Sequence, residues 1–283
     1  MIKAIILDVD GVIVGEKKGF NFPLPHPKVI ARLRTTKAKG IPISLCTAKP
    51  HYAVARIISD ASLNNIHITM GGGVIIDPID NIVLKTYVLP NDKAREVTQI
   101  FLNNGIYTEV YTVDNYLIQS DQVADLTDLR TQILLKDPVI VDSLIEAMAN
   151  HEIVKVLPIA HDEAGKHRVA QLFKPYETDL TMSWATHPFM LPRQAGNITA
   201  PNISKKQAVA MVADNLNVQP KDILGVGDSA ADWQFIESCG YGAATGNAAD
   251  ELKQLVRTKG DHGYIGTSVN EHGLLNIFDH FNL

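Results

Sequence analysis

Residues 5–11 read Ile-Ile-Leu-Asp-Val-Asp-Gly, an aliphatic run that breaks into two carboxylates two positions apart and then a glycine. Residues 2–7 are almost all aliphatic with little alternation, which marks a strand covered on both faces, as in the interior of a parallel sheet. Asp8 and Asp10 then fall where that strand runs out into a loop. Two acids in such a crevice repel each other unless a cation or a proton is shared between them. The arrangement suits one acid as nucleophile and metal ligand and the other as a carrier of protons.

The rest of the N-terminal segment continues the rhythm. Residues 26–39 read as a helix with Val29, Ile30 and Leu33 on one side, closed by Gly40. Ile41 to Leu45 is a second aliphatic strand ending at Cys46-Thr47, and Pro50 opens another helical stretch through Val54 to Ile58. Strand, helix, strand, helix predicts a parallel sheet with crossover helices.

The pattern changes after Gly71-Gly72-Gly73. Residues 74–88 read as short strands around a turn at Pro78 to Asn81, and the region to about 190 mixes helix with edge-like strand. Helices are expected over 91–103 and 138–150, and strands over 106–112, 115–119, 153–157, 167–173 and 187–191. A second punctuation cluster, Gly196-Asn197 to Pro201-Asn202, marks the return to α/β rhythm. A helix over Ile203 to Leu216 follows, then a buried strand at Ile223 to Val226 and Gly227-Asp228-Ser229. A helix is expected from about 230 to 238, a small-residue strand at Gly240 to Ala244, and terminal helices at 248–255 and 271–281. The expected fold is α/β: a Rossmann-like parallel-sheet core with helices on both faces, made of residues 1–77 and 195–283, with an inserted α+β cap at 78–194.

Composition constrains the partners more than the fold. The chain has 283 residues, 46% hydrophobic and 20% charged, which is globular composition. A formal net charge of −5 argues against a nucleic-acid or anionic-membrane surface. Cys46 and Cys239 lack Cys-x-x-Cys spacing and read as two reduced, buried thiols. The opening apolar stretch is broken by Asp8 before a secretion signal could form, and no run is long enough to span a bilayer, so a soluble cytoplasmic protein is expected.

In an open parallel α/β sheet, ligands collect at the carboxyl ends of the strands. Three expected strands end in polar residues that suit one site: Asp8-Val9-Asp10, Thr47, and Gly227-Asp228-Ser229-Ala230-Ala231-Asp232. Ser204-Lys205-Lys206 adds an ammonium at a helix start. A cation at a helix N-terminus beside a hydroxyl and several carboxylates is what a phosphate bridged by Mg²⁺ would need.

The order Asp-x-Asp-Gly, strand-end Thr, Ser-Lys and Gly-Asp-Ser-x-x-Asp resembles the haloacid-dehalogenase superfamily. The mid-chain insertion resembles its type-II-capped, Cof-like sugar-phosphate phosphatases, and Gly246-Asn247-Ala248 is similar to a short signature of that group. The resemblance implies that Asp8 attacks phosphorus and forms an aspartyl-phosphate, while Asp10 serves as acid and then base. It implies that Thr47 and Lys205 bind the phosphoryl oxygens, and that Asp8, Asp228 and the backbone carbonyl of Asp10 hold Mg²⁺. Asp232 would orient metal-bound water or Lys205, and Asp10 would need a raised pKa to act as acid. Two departures from the group's pattern stand out: Ala231 stands where Asn is common, and Gly71-Gly72-Gly73 replaces an Asn-Gly-Ala type turn, which suggests a looser cap hinge.

Other motifs explain less. Gly225 to Ala230 matches a dinucleotide fingerprint, but Asp228 would face pyrophosphate without a metal. Ser229 suggests a nucleophile elbow, yet that leaves Asp8, Asp10 and Lys205 unused. Residues 11–17 lack the Gly-Lys-Ser/Thr of a phosphate loop, and no His-Glu-x-x-His supports a catalytic zinc. The expected partner is a small phosphorylated metabolite. A sugar phosphomutase using the same aspartyl-phosphate and a low-turnover phosphate-binding module are the competing functions. Substrate choice should lie in the insertion, where Lys166, Arg168, Lys174, His187 and Arg193 each read as a solvated surface charge.

Overall fold

The computed structural model describes residues 1–79 and 82–283. The core is a five-stranded parallel sheet in the spatial order Gly263–Ile265, Tyr241–Ala244, Ile223–Gly227, Ala4–Leu7, Ile43–Leu45. Ala4–Leu7 is an interior strand, with Ala4 opposite Ile223 and Leu7 opposite both Val226 and Leu45. Its four side chains are fully buried because successive residues point to opposite faces and each face is roofed by helices. Ile5 and Leu7 pack with Leu33 of the helix Pro27–Ala38, Ile57 of His51–Ala61 and Ile277 of Gly273–His280. Ala4 and Ile6 pack with Val212 of Ala208–Leu216, Phe235 of Trp233–Ile236 and Leu252 of Asp250–Arg257. The fold expectation of a parallel sheet with helices on both faces is borne out.

A three-stranded antiparallel sheet, His67–Thr69, Val74–Asp77 and Ile82–Thr86, attaches to the core edge through a bridge between Cys46 and Ile68. Of the expected turn at Pro78 to Asn81, Asp80 and Asn81 lie outside the described residues. The insertion forms a six-stranded mixed sheet ordered Thr181–Ala185, Gln194–Thr199, Lys155–Ala160, Thr108–Tyr111, Tyr116–Gln119, Val139–Val141. Helices Asn91–Asn103 and Glu163–Phe173 cover one face around Phe101, Val156, Phe173 and Ile198. The last long strand of this sheet runs to Thr199, so pairing in the insertion reaches past residue 194.

Several insertion elements differ from expectation for local reasons. Residues 167–173 are helical, not a strand: Asp162 Oδ1 accepts the Gly165 N–H at 2.8 Å as an N-cap, and Val169 and Phe173 one turn apart are both buried. The expected helix 138–150 is a strand, Val139–Val141, followed by a short helix, Leu144–Met148, started by Ser143. Residues 188–190 form a tight turn between two strands, and the helix Asp125–Leu134 was not anticipated. The triple glycine is packed and buried between insertion and core. Gly72 has φ +107°, and a Cβ there would lie 2.4 Å from the Ser204 carbonyl oxygen. Among the described residues no helix is long and apolar enough to cross a membrane. Cys46 and Cys239 are both buried, free thiols.

Inside the insertion, Arg130 makes a paired contact with Glu109, both bonds at 2.8 Å, and donates to the Tyr111 hydroxyl at 2.9 Å. Lys155 lies beside this network, fully buried, with Nζ 3.8 Å from the Tyr111 ring centroid and 3.0 Å from the Ala48 carbonyl oxygen of the core. Burial, then repulsion from Arg130, lowers its pKa to about 7. Between pH 7 and the ordinary lysine range the unfolded chain holds a proton that the folded chain does not, so this residue makes stability rise with pH across that window. Lys155→Met is expected to be more stable than the parent by about 1–4 kcal/mol at neutral pH. The advantage should shrink toward pH 10 in urea unfolding followed at several pH values.

Candidate active site

The carboxyl ends of three core strands supply the site. Asp8 follows Ala4–Leu7, and its N–H donates to the Val226 carbonyl at 2.9 Å, which ties it to the neighbouring strand end. The loop after it folds tightly, with the N–H groups of Ile13 and Val14 each 2.9 Å from the Val9 carbonyl oxygen. Gly11 sits in this loop at φ +76°, and a Cβ on it would stand 1.8 Å from Asp228 Oδ2, so only glycine lets the two loops meet. Its carbonyl oxygen accepts from Thr245 Oγ1 at 3.0 Å and Asn247 Nδ2 at 2.9 Å, which pins the loop from the next strand end. That is the structural task of the Gly246-Asn247-Ala248 turn.

Lys205 is brought in by a helix start. Ser204 Oγ accepts the Lys206 N–H at 3.2 Å, and Gln207 Oε1 accepts the Ser204 N–H at 3.1 Å, a reciprocal cap. The cap turns Lys205 inward, where it is buried, and leaves Lys206 exposed. Lys205 Nζ lies 2.9 Å from Asp8 Oδ1 and 2.7 Å from Asp232 Oδ1. Burial alone would depress its pKa, but Asp232 and then Asp8 raise it well above the usual lysine value. Asp232 is fully buried, and its other oxygen accepts from the N–H groups of Asp228 and Ser229 and from Ser229 Oγ, at 2.9–3.0 Å. It therefore fixes both Lys205 and the Asp228 loop.

Asp8, Asp228 and Asp232 each offer an oxygen within 4.8 Å of the others. Burial, then the Asp232 charge, raises the pKa of Asp8, with Lys205 offsetting part of the rise. Burial, Asp232 and Asp8 push Asp228 well above the carboxylate range. A cluster of buried acids with hard oxygen donors and mutually raised proton affinities fits a small divalent cation. Both oxygens of Asp232 are already engaged, so Asp8 and Asp228 are the carboxylates with room for one.

Thr47 follows the strand Ile43–Leu45 and is buried. Its Oγ1 accepts the Lys49 N–H at 3.1 Å, so the hydroxyl keeps its own proton to donate. Lys49 was not singled out in the sequence. It is buried, and its Nζ lies 2.8 Å from Asp10 Oδ1. His187, expected as a solvated surface group, is instead 5% exposed, with Nε2 3.1 Å from the same Asp10 oxygen. Burial would raise the pKa of Asp10, but Lys49 and then His187 overrule it and hold the acid below the usual carboxylate range. The expectation of a raised Asp10 pKa is thus corrected for the protein without substrate, because two cationic or donor groups converge on it. Of the other polar insertion residues, Arg168 and Lys174 are exposed, and Lys166 and Arg193 are half-buried.

A groove of about 820 Å³ opens beside Asp228 between insertion and core. Trp184, Lys166 and Gln194 line it from the insertion, and Ala231, Asn247 and Asn270 from the core. Lys166 Nζ stands 5.5 Å from the Trp184 ring centroid.

The family model for haloacid dehalogenase-like hydrolases matches residues 5–278, and this chain belongs to that family. It is similar to phosphatase YwpJ of Bacillus subtilis, 24% identical with 98% of this chain and 99% of that protein covered. It is 22% identical to the phosphoglycolate phosphatase of Methanothermobacter thermautotrophicus, over 92% of this chain and 94% of the other. The solved structure of the subclass IIB sugar phosphatase BT4131 superposes with a TM-score of 0.79 at 18% identity, covering 99% of each chain. The chain is thus a hydrolase of that family, as its sequence motifs implied, and the relatives it resembles carry phosphatase names.

Proposed function

We propose that this protein hydrolyses a small phosphomonoester, a sugar phosphate or related metabolite, through a phosphoryl group carried on Asp8. The observation that carries the reading is Lys205 Nζ standing between Asp8 and Asp232, with Asp228 in the same buried cluster. In this reading an Asp8 oxygen attacks phosphorus, and the bond from phosphorus to the leaving oxygen breaks as Asp10 passes that oxygen a proton. Water then attacks the same phosphorus and gives its proton to Asp10. The bond to Asp8 breaks, and inorganic phosphate leaves. Thr47 donates to a phosphoryl oxygen and Lys205 offsets its charge, preorganised as transition-state stabilisation requires. Asp8, Asp228 and the Asp10 carbonyl would hold Mg²⁺, which neutralises charge on the transferring group. Asp10, held low by Lys49 in the free protein, gains proton affinity when a phosphoryl dianion arrives beside it.

The 78–194 insertion, with its sheet completed at Thr199, is read as the cap that selects the leaving group. An indole face with amide side chains around a roomy groove suits a polyhydroxylated leaving group. The sugar phosphatase among its structural relatives agrees with that chemistry. A net charge of −5 and a small-molecule groove fit a cytoplasmic metabolite more than a nucleic acid. The test is phosphate release with Mg²⁺ across sugar phosphates, sugar-acid phosphates, polyol phosphates and nucleotides. Steady turnover of a sugar or polyol phosphate is expected. Tight binding without release would reject the hydrolase mechanism, and dependence on a bisphosphate activator would indicate a mutase.

A further inference from the structure

Asp10 is approached by a histidine from across the cleft between insertion and core. His187 precedes the turn Pro188–Met190, and its Nδ1 accepts the Phe189 backbone N–H at 3.0 Å. An imidazole nitrogen that accepts has no proton, so in the neutral ring the proton sits on Nε2. That Nε2 lies 3.1 Å from Asp10 Oδ1 but off hydrogen-bonding alignment, and both atoms are buried without a well-formed partner. The ring is held from both sides of the cleft. Phe22 of the core meets it edge-on at 5.6 Å, and Phe22 stacks on Phe189 of the insertion at 4.2 Å. Lys49 and His187 both approach Oδ1. Oδ2 is therefore the oxygen left to carry a proton.

We infer that His187 is a positioning residue for Asp10: seated when the insertion closes on the core, it turns the carboxyl so that Oδ2 faces the leaving oxygen. Proton delivery is then competent only in the closed arrangement, which keeps the phosphoryl group from being released into an open, wet site. The inference rests on the proposed role of Asp10 and adds the group that aims it.

The experiment compares phenyl phosphate with p-nitrophenyl phosphate, whose leaving group departs with far less need of a proton. His187→Ala should lower kcat/KM on both esters, with the loss on phenyl phosphate about tenfold larger, a fraction of what general-acid catalysis supplies, because only formation of the shared Asp8-phosphate depends on the leaving group. KM should move less than kcat. His187→Gln, whose amide N–H reaches toward the same oxygen, should recover part of the difference. Adding His187→Ala to Asp10→Asn should cost little more than Asp10→Asn alone. Equal losses on the two esters, or full additivity with Asp10→Asn, would overturn the inference. If His187→Ala does not fold, His187→Asn, too short to reach Asp10, carries the same comparison. Asp8→Asn separates the two layers: retained turnover there refutes the phosphatase mechanism, whereas a bare His187 result leaves that mechanism standing.

Discussion

Asp8→Asn is expected to lower kcat by about 10⁴-fold or more while the protein still folds and still binds phosphate, because loss of the attacking group removes the covalent route altogether. Asparagine keeps the size of the side chain and its place beside Lys205. It also removes one of the mutually repelling acids that raise the pKa of Asp228, so the variant should unfold at the same temperature as the parent or higher. Steady-state kinetics together with thermal unfolding reads both effects. A variant that loses activity only because it unfolds would not count in favour of the nucleophile.

Withdrawing divalent ions should produce the second large loss. Asp8 and Asp228 are buried beside Asp232, with Lys205 offsetting part of their charge, and in that state burial and charge repulsion favour protonated, poorly nucleophilic carboxyls. A cation among them supplies several kcal/mol of charge stabilisation, so chelation should cost about 10³-fold in rate. Mg²⁺ should restore it. The same ion should raise the unfolding temperature, since a ligand at 100 times its Kd adds about 2.7 kcal/mol to the folded state. Asp228→Asn should abolish both responses together, in activity titrations and in unfolding curves with and without Mg²⁺.

The core was legible because its signals are local. Ile5-Ile6-Leu7 is aliphatic on both faces because helices cover both faces, and Asp8 lies next to the strand end that the run defines. Lys205 was singled out over Lys206 by the Ser-Lys pattern, and the cap that Ser204 and Gln207 make gives the physical reason, because it turns that lysine inward. The insertion was harder. Residues 167–173, His-Arg-Val-Ala-Gln-Leu-Phe, carry β-branched and aromatic side chains that suit a strand as well as a helix, and Asp162 settles the matter from outside the window. Lys49 had a weak signal, a cation two residues after Thr47. His187 had none, because its partner Asp10 is distant in the chain and meets it only through tertiary packing of the insertion on the core. Burial of an isolated histidine cannot be read from neighbours in sequence.

The central claim is that the phosphoryl group passes through Asp8. Enzyme quenched in acid during turnover with Mg²⁺ and then treated with borohydride converts an aspartyl-phosphate to homoserine, which peptide mass spectrometry locates. The account predicts homoserine at position 8, dependent on substrate and absent from Asp8→Asn. A trapped phosphoryl group on a different residue, or turnover with no reducible acyl-phosphate at position 8, would contradict it.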